Sequence, residues 1–137
     1  MNAFRIVALV AFVGWGSALV SLSAQGAAPA PAGDQQARGK ALYLDKCSAC
    51  HQETLEGTAE TPALTGDTFW MNWATYNANN LVVQVKATMP EDNPGGLEPQ
   101  QYVDIVAYML KFNEVPMTGD LPMDADGLKK VVIQKKP

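Results

Sequence analysis

Both cysteines of the chain and its only histidine fall within five residues, Cys47-Ser-Ala-Cys50-His51. Two thiols three positions apart can add across the two vinyl groups of one haem. The residue that follows then lies under the iron, where an imidazole nitrogen can ligate it. Moving the histidine by one place loses that alignment. The competing readings ask for features the sequence lacks. A thioredoxin-like exchange pair belongs in a βαβ setting, and no convincing run of strands is legible. A structural zinc site needs about four ligands, against two cysteines and one histidine in total. A plain disulfide leaves His51 unexplained. One such motif implies one covalently attached haem c.

The opening of the sequence fits that chemistry. Met1 to Gly26 carries a single charge, Arg5, then an apolar run from Ile6 to Val20, then small residues ending Ala24-Gln25-Gly26. This is the layout of a secretory signal, with cleavage expected near Gly26 and a periplasmic location for the mature protein. The alternative is an uncleaved membrane anchor, although the apolar core is short of the ~20 residues of a comfortable span. After cleavage no stable membrane insertion is expected. With 10 basic residues, Arg5 among them, against 14 acidic ones, the surface is acidic. That argues against nucleic acid and anionic membrane as partners.

The 137 residues suit one domain. Residues 27–33 are rich in Ala and Pro and read as a flexible lead-in. Asp34 caps a helix that delivers the chain to Cys47. Residues 52–66 read as loop, broken by Gly57, Pro62 and Gly66. Asp67 is expected to cap a short helix holding Phe69, Trp70, Met71 and Trp73, with a polar break at Asn77 to Asn80. A helix from Leu81 to Ala87 should end before Met89-Pro90, because a residue preceding proline is biased out of the helical region. The best signalled helix starts at Pro99. Gln101 can reach back to Glu98 as a capping box, and Leu97 and Tyr102 stand where a hydrophobic staple would. Val103, Val106, Ala107 and Leu110 line one face, and Asn113 can end the helix. A domain over 34–113 is thus followed by a tail, 114–137, with little periodicity, expected to pack on the domain or on a partner.

The second iron ligand cannot be a histidine of this chain. A thioether is the usual alternative in electron-transfer haem proteins, and it raises the potential. Met109, inside the last helix, and Met71, beside Phe69 and Trp73, read as core. Met117 and Met123 fall in the tail. Met89 follows a helix end and precedes a stiffening proline, and is the expected ligand. A ligating imidazole usually donates its other N–H to an acceptor. A backbone carbonyl near Pro62 is the expected one, unless Pro62 is merely a loop breaker. Leu64 would then pack on the His51 side of the haem. Trp70, Trp73 and Tyr76 offer donors for haem propionates, or else are plain core.

Over roughly Gly33 to Asn113 the sequence resembles class I cytochromes c. Gly39, Tyr43 and Cys47 match the family's glycine and aromatic before the first haem cysteine. Thr61-Pro62-Ala63-Leu64 resembles its histidine-holding loop, Thr88-Met89-Pro90 its axial methionine loop, and Asp104 to Lys111 its last helix. The resemblance implies an all-α fold of about four helices wrapped around the haem. It implies that Gly39 lets the first and last helices cross closely, with Tyr43 meeting Ile105 and Tyr108. It also implies electron exit at the haem edge beside Cys47 and Cys50. Leu64-Thr-Gly-Asp67, Phe69 and Trp73, the segment Thr88 to Leu97, and Gly119 to Asp124 resemble more narrowly the cytochromes linked to quinoprotein (PQQ-dependent) dehydrogenases.

The function expected is periplasmic transfer of single electrons between a redox donor and acceptor, with a dehydrogenase or terminal oxidase as partner. Two alternatives stay open. One is a fixed haem subunit of a larger oxidoreductase. The other is an enzyme or gas-binding haem, which requires Met89 to be absent from the iron or labile there.

Overall fold

A computed structural model of the chain describes residues 34–136. The expected export signal, its cleavage point and the lead-in lie outside the described residues. Six helices follow one another: α1 (Gln35–Lys46), α2 (Ser48–His51), α3 (Gly66–Trp73), α4 (Ala78–Thr88), α5 (Pro99–Phe112) and α6 (Ala125–Lys129). Among the described residues there is no strand, only one isolated antiparallel bridge between Asn77 and Val132. None of the described helices is long and apolar enough to cross a membrane.

The helix ends follow local chemistry. The Asp34 carboxylate accepts the Ala37 N–H at 3.0 Å and starts α1. Gln35, Gly39 and Tyr43, four apart, form its buried stripe. Asp67 is not the cap of α3. Thr65 holds that position, and Asp67 falls in the first turn, where its charge favours the positive end of the helix. Asn77 to Asn80 is not a break but a capping box. The Asn77 side chain accepts from Asn80 N–H (3.1 Å) and the Asn80 side chain from Asn77 N–H (3.3 Å), so α4 starts at Ala78. Pro99 opens α5, and Gln101 reaches back to the Glu98 N–H at 2.9 Å.

Helix α5 is the axis of the molecule. Every residue from Tyr102 to Leu110 is buried, all round the helix rather than on the single face the spacing suggests. Helix α1 crosses it at Gly39, where a Cβ would stand 1.9 Å from the Asp104 carbonyl oxygen and 3.0 Å from Tyr108 Cβ. Hydrogen is the only substituent that fits there. Tyr43 and Tyr108 meet beside the crossing, ring centroids 5.4 Å apart. Asp104, buried in α5, accepts from Arg38 Nε (2.8 Å) and Nη2 (3.2 Å) and from Gln100 Nε2 (2.7 Å).

The segment after α5 is part of the same body. Val115, Leu121, Leu128 and Ile133 are buried in the common core. The Gln35 amide clamps the Leu121 backbone, donating to its C=O at 3.0 Å and accepting from its N–H at 2.6 Å. Further on, Thr75 N–H donates to Ile133 C=O, Ile133 N–H to Tyr76 C=O and Ala78 N–H to Val131 C=O, at 3.0, 2.8 and 2.9 Å.

Candidate haem site

The Cys47–His51 segment forms one tight turn. Cys47 ends α1, its N–H on the Tyr43 carbonyl at 2.8 Å, and its own carbonyl accepts from Cys50 N–H (3.2 Å) and His51 N–H (3.0 Å). Cys47 is half-buried and Cys50 exposed. Burial, helped by Asp45 and Cys50, pushes the Cys47 thiol up to about 11. It is therefore a neutral thiol at pH 7, the reverse of the depressed thiolate that a disulfide-exchange pair requires.

His51 is buried, with Nδ1 3.0 Å from the Pro62 carbonyl oxygen. A carbonyl only accepts, so Nδ1 carries the proton and Nε2 keeps the lone pair that a metal needs. The loop presenting Pro62 is fastened at several points. The Tyr43 hydroxyl donates to the Gln52 carbonyl at 2.8 Å and holds Gln52 at φ 63°, a left-handed conformation unusual for glutamine. Burial pushes the Tyr43 hydroxyl pKa upward, so it remains a neutral donor. Gly57, at φ 66°, gives its N–H to the His51 carbonyl, and a Cβ there would collide with Thr61 and Pro62 backbone. Leu64 N–H bonds Leu55 C=O at 2.7 Å. The Leu64 carbonyl accepts from Asn113 Nδ2 at 2.9 Å.

Met89 stands at the C-terminal cap of α4, in extended backbone and half-buried, its N–H on the Val85 carbonyl at 2.8 Å. Its carbonyl receives the Tyr102 hydroxyl at 2.9 Å. Of the other methionines, Met109 is buried and Met117 packs against the core. Met71, expected in the core, is 79% exposed. Helix α3 turns Phe69 inward and Met71 out.

Leu64, Trp70 and Trp73 pack half-buried against the core cluster. Trp70 lies edge-on to Phe69 and beneath Lys135 Nζ, 5.6 Å from the ring centroid. Trp73 lies edge-on to Tyr76 at 6.0 Å. Sequence reasoning missed three contributors. Tyr102 reads as a staple rather than a hydroxyl clamp, Asn113 as a helix end, and Gly57 as a breaker. For Tyr102, a tyrosine where an aliphatic staple would serve was the available signal.

The donor set fits a covalent haem. Two thiols, Cys47 and Cys50, flank one turn, and the imidazole that follows them is held in the tautomer whose free nitrogen can ligate iron. The thioether lies on a separate, anchored loop.

The cytochrome c family profile matches residues 36–113, more than half of the chain. A thiosulfate dehydrogenase of Psychrobacter arcticus is 35% identical over 98 residues, covering 64% of this chain and 28% of that protein. The chain therefore spans little more than a quarter of that relative. The crystal structure of the sulfane dehydrogenase SoxCD from Paracoccus pantotrophus superposes with a TM-score of 0.54 at 23% identity. That match covers 71% of this chain and 52% of that one, and it is a likeness of fold. The chain belongs to the cytochrome c family of electron carriers, whose cofactor is covalently bound haem c.

Proposed function

We propose that the chain is an exported electron-transfer protein, its haem attached through Cys47 and Cys50 and its iron ligated by His51 and Met89. The observation that carries this reading is the His51–Pro62 hydrogen bond, 3.0 Å long, on the same turn as both thiols. The haem supplies the Fe(II)/Fe(III) couple. The protein's part is to fix the ring of His51, to present the Met89 thioether from a braced loop, and to cover the group with Leu64 and Trp73. A thioether favours the ferrous state and raises the potential. With His51 and Met89 both holding the iron, no coordination position would be left for a substrate.

The partner is an oxidoreductase. The relative named as a thiosulfate dehydrogenase favours a dehydrogenase of small reduced compounds as donor. That only 28% of that relative is covered supports a second reading, a haem module working as a fixed part of a larger enzyme. Periplasmic location rests on the composition of Met1 to Gly26.

Met89→Ala is the test. With the haem still covalently bound, the variant should lose the methionine–iron absorption band, lower the reduction potential substantially and bind carbon monoxide rapidly. Met71→Leu, Met109→Leu, Met117→Leu and Met123→Leu should keep the parent spectrum. A Met89→Ala protein with the parent's spectrum and potential would overturn the ligand assignment.

A further inference from the structure

We infer that Tyr102 is the positioning residue for the Met89 ligand, and that its hydroxyl sets how readily Met89 leaves the iron. The inference rests on the assignment of Met89 as ligand. Between Met89 and Leu97 the chain runs out through Glu91 to Gly96, all of it exposed. Its internal bonds are local: Asn93 N–H to Pro90 C=O and Gly96 N–H to Asn93 C=O, both 3.0 Å. A loop of exposed polar residues closed by two such turns has little to hold it in one place.

Tyr102 supplies the missing attachment. It is 0% exposed, in the first buried turn of α5. Its hydroxyl donates to the Met89 carbonyl at 2.9 Å and accepts the Leu97 N–H at 3.2 Å. One oxygen thereby joins the two ends of the loop to each other and to the central helix. Among the described residues, no other side chain bonds the backbone from Met89 to Leu97. The remaining contact on the Met89 carbonyl, from Gly95 N–H at 3.4 Å, is long and comes from the loop itself. While these bonds hold, the Met89 backbone keeps the thioether presented at one place; any swing of that backbone that carries the thioether away breaks the Tyr102 bonds.

Tyr102→Phe removes the oxygen and keeps the ring. In the ferric holoprotein the methionine–iron band should persist at neutral pH. The limiting rate of imidazole binding at saturating imidazole reports methionine departure. It should rise on the order of tenfold, the factor carried by the one buried hydrogen bond that reaches Met89 itself. Hydrogen exchange of the Leu97 amide should accelerate with it. Ile133→Val, a core deletion in the tail, is the control for general loosening and should leave both rates unchanged. An unchanged imidazole rate in Tyr102→Phe overturns the inference, as does an equal rise in Ile133→Val. Met89→Ala separates the two failures. If it loses the band while Tyr102→Phe behaves as the parent, only the positioning role falls. If it keeps the band, the ligand assignment falls and Tyr102 has no ligand to position.

Discussion

At the scale of single residues, the buried Asp104 carboxylate shows how one polar group can bind two elements. Arg38 and Gln100 together give it three hydrogen bonds, and the bond to Asp104 raises the Arg38 pKa further above its ordinary value. The Arg38 side chain is 21% exposed, against 3% for Asp104. The two partners should therefore fail differently. Arg38→Met strands a buried charge on one amide and should cost about 3 kcal/mol or more. Asp104→Asn keeps an acceptor and leaves Arg38 its access to water, so about 1–2 kcal/mol is expected. Guanidinium midpoints of the two holoproteins check this, and the reverse order would show that Asp104 is not electrostatically dependent on Arg38. This pair lies 66 positions apart in sequence, and nothing local announces it. By contrast, the Cys47–His51 turn is legible because its chemistry is confined to five adjacent residues. Met71 reads as core and lies outside it because apolarity alone does not tell which side of a two-turn helix faces inward.

At the scale of elements, α5 works as a spacer between two braced loops. Tyr102 near its start holds the Met89 loop, and Asn113 at its end holds Leu64, in the loop whose Pro62 carbonyl faces His51. Eleven residues of helix separate these anchors by about 16 Å. Helix α1 is set against this spacer by Gly39, which the family resemblance singled out. Glycine to alanine inside a helix normally gains about 1 kcal/mol of propensity. Here the new methyl would overlap the Asp104 carbonyl, backbone that cannot swing aside. Gly39→Ala should therefore destabilise the holoprotein by about 1–3 kcal/mol or more, read from the denaturation midpoint. A stabilised variant would mean that α1 and α5 can slide apart freely. Four helices were legible from caps and spacing. The other two were not, because α2 is a single turn and the five residues of α6 are too few to show periodicity. The Asp124 carboxylate on Gly127 N–H at 2.7 Å is the one local cue to α6.

At the scale of the whole molecule, the question is whether the segment beyond Asn113 belongs to the folding unit. The family match ends at residue 113, and the tail lacks the periodic pattern that marks a core element. Its apolar residues nevertheless contribute four buried side chains, Val115, Leu121, Leu128 and Ile133. Each is worth roughly 1.5–3 kcal/mol when buried, a gain offset in part by the entropy of ordering the tail. The backbone bonds at Thr75, Tyr76 and Ala78 would also lose their partners. Those bonds span the junction of α3 and α4, so the helix that ends at Met89 would lose its base. A holoprotein ending at Glu114 should consequently melt at least ~10 °C below the full chain, since 1 kcal/mol moves a domain of this size by several degrees. Gln35→Ala isolates the clamp in the full-length protein. It leaves the Leu121 N–H and C=O without partners and should cost about 1–3 kcal/mol. If the tail is held mainly by that clamp, protease cleavage within residues 115–136 should precede loss of the haem spectrum in this variant, whereas in the parent the two should coincide. A truncated protein that melts with the parent would show that the covering of α1 and α4 by the tail adds nothing to the fold. The stability would then reside in the α1–α5 crossing and the haem alone.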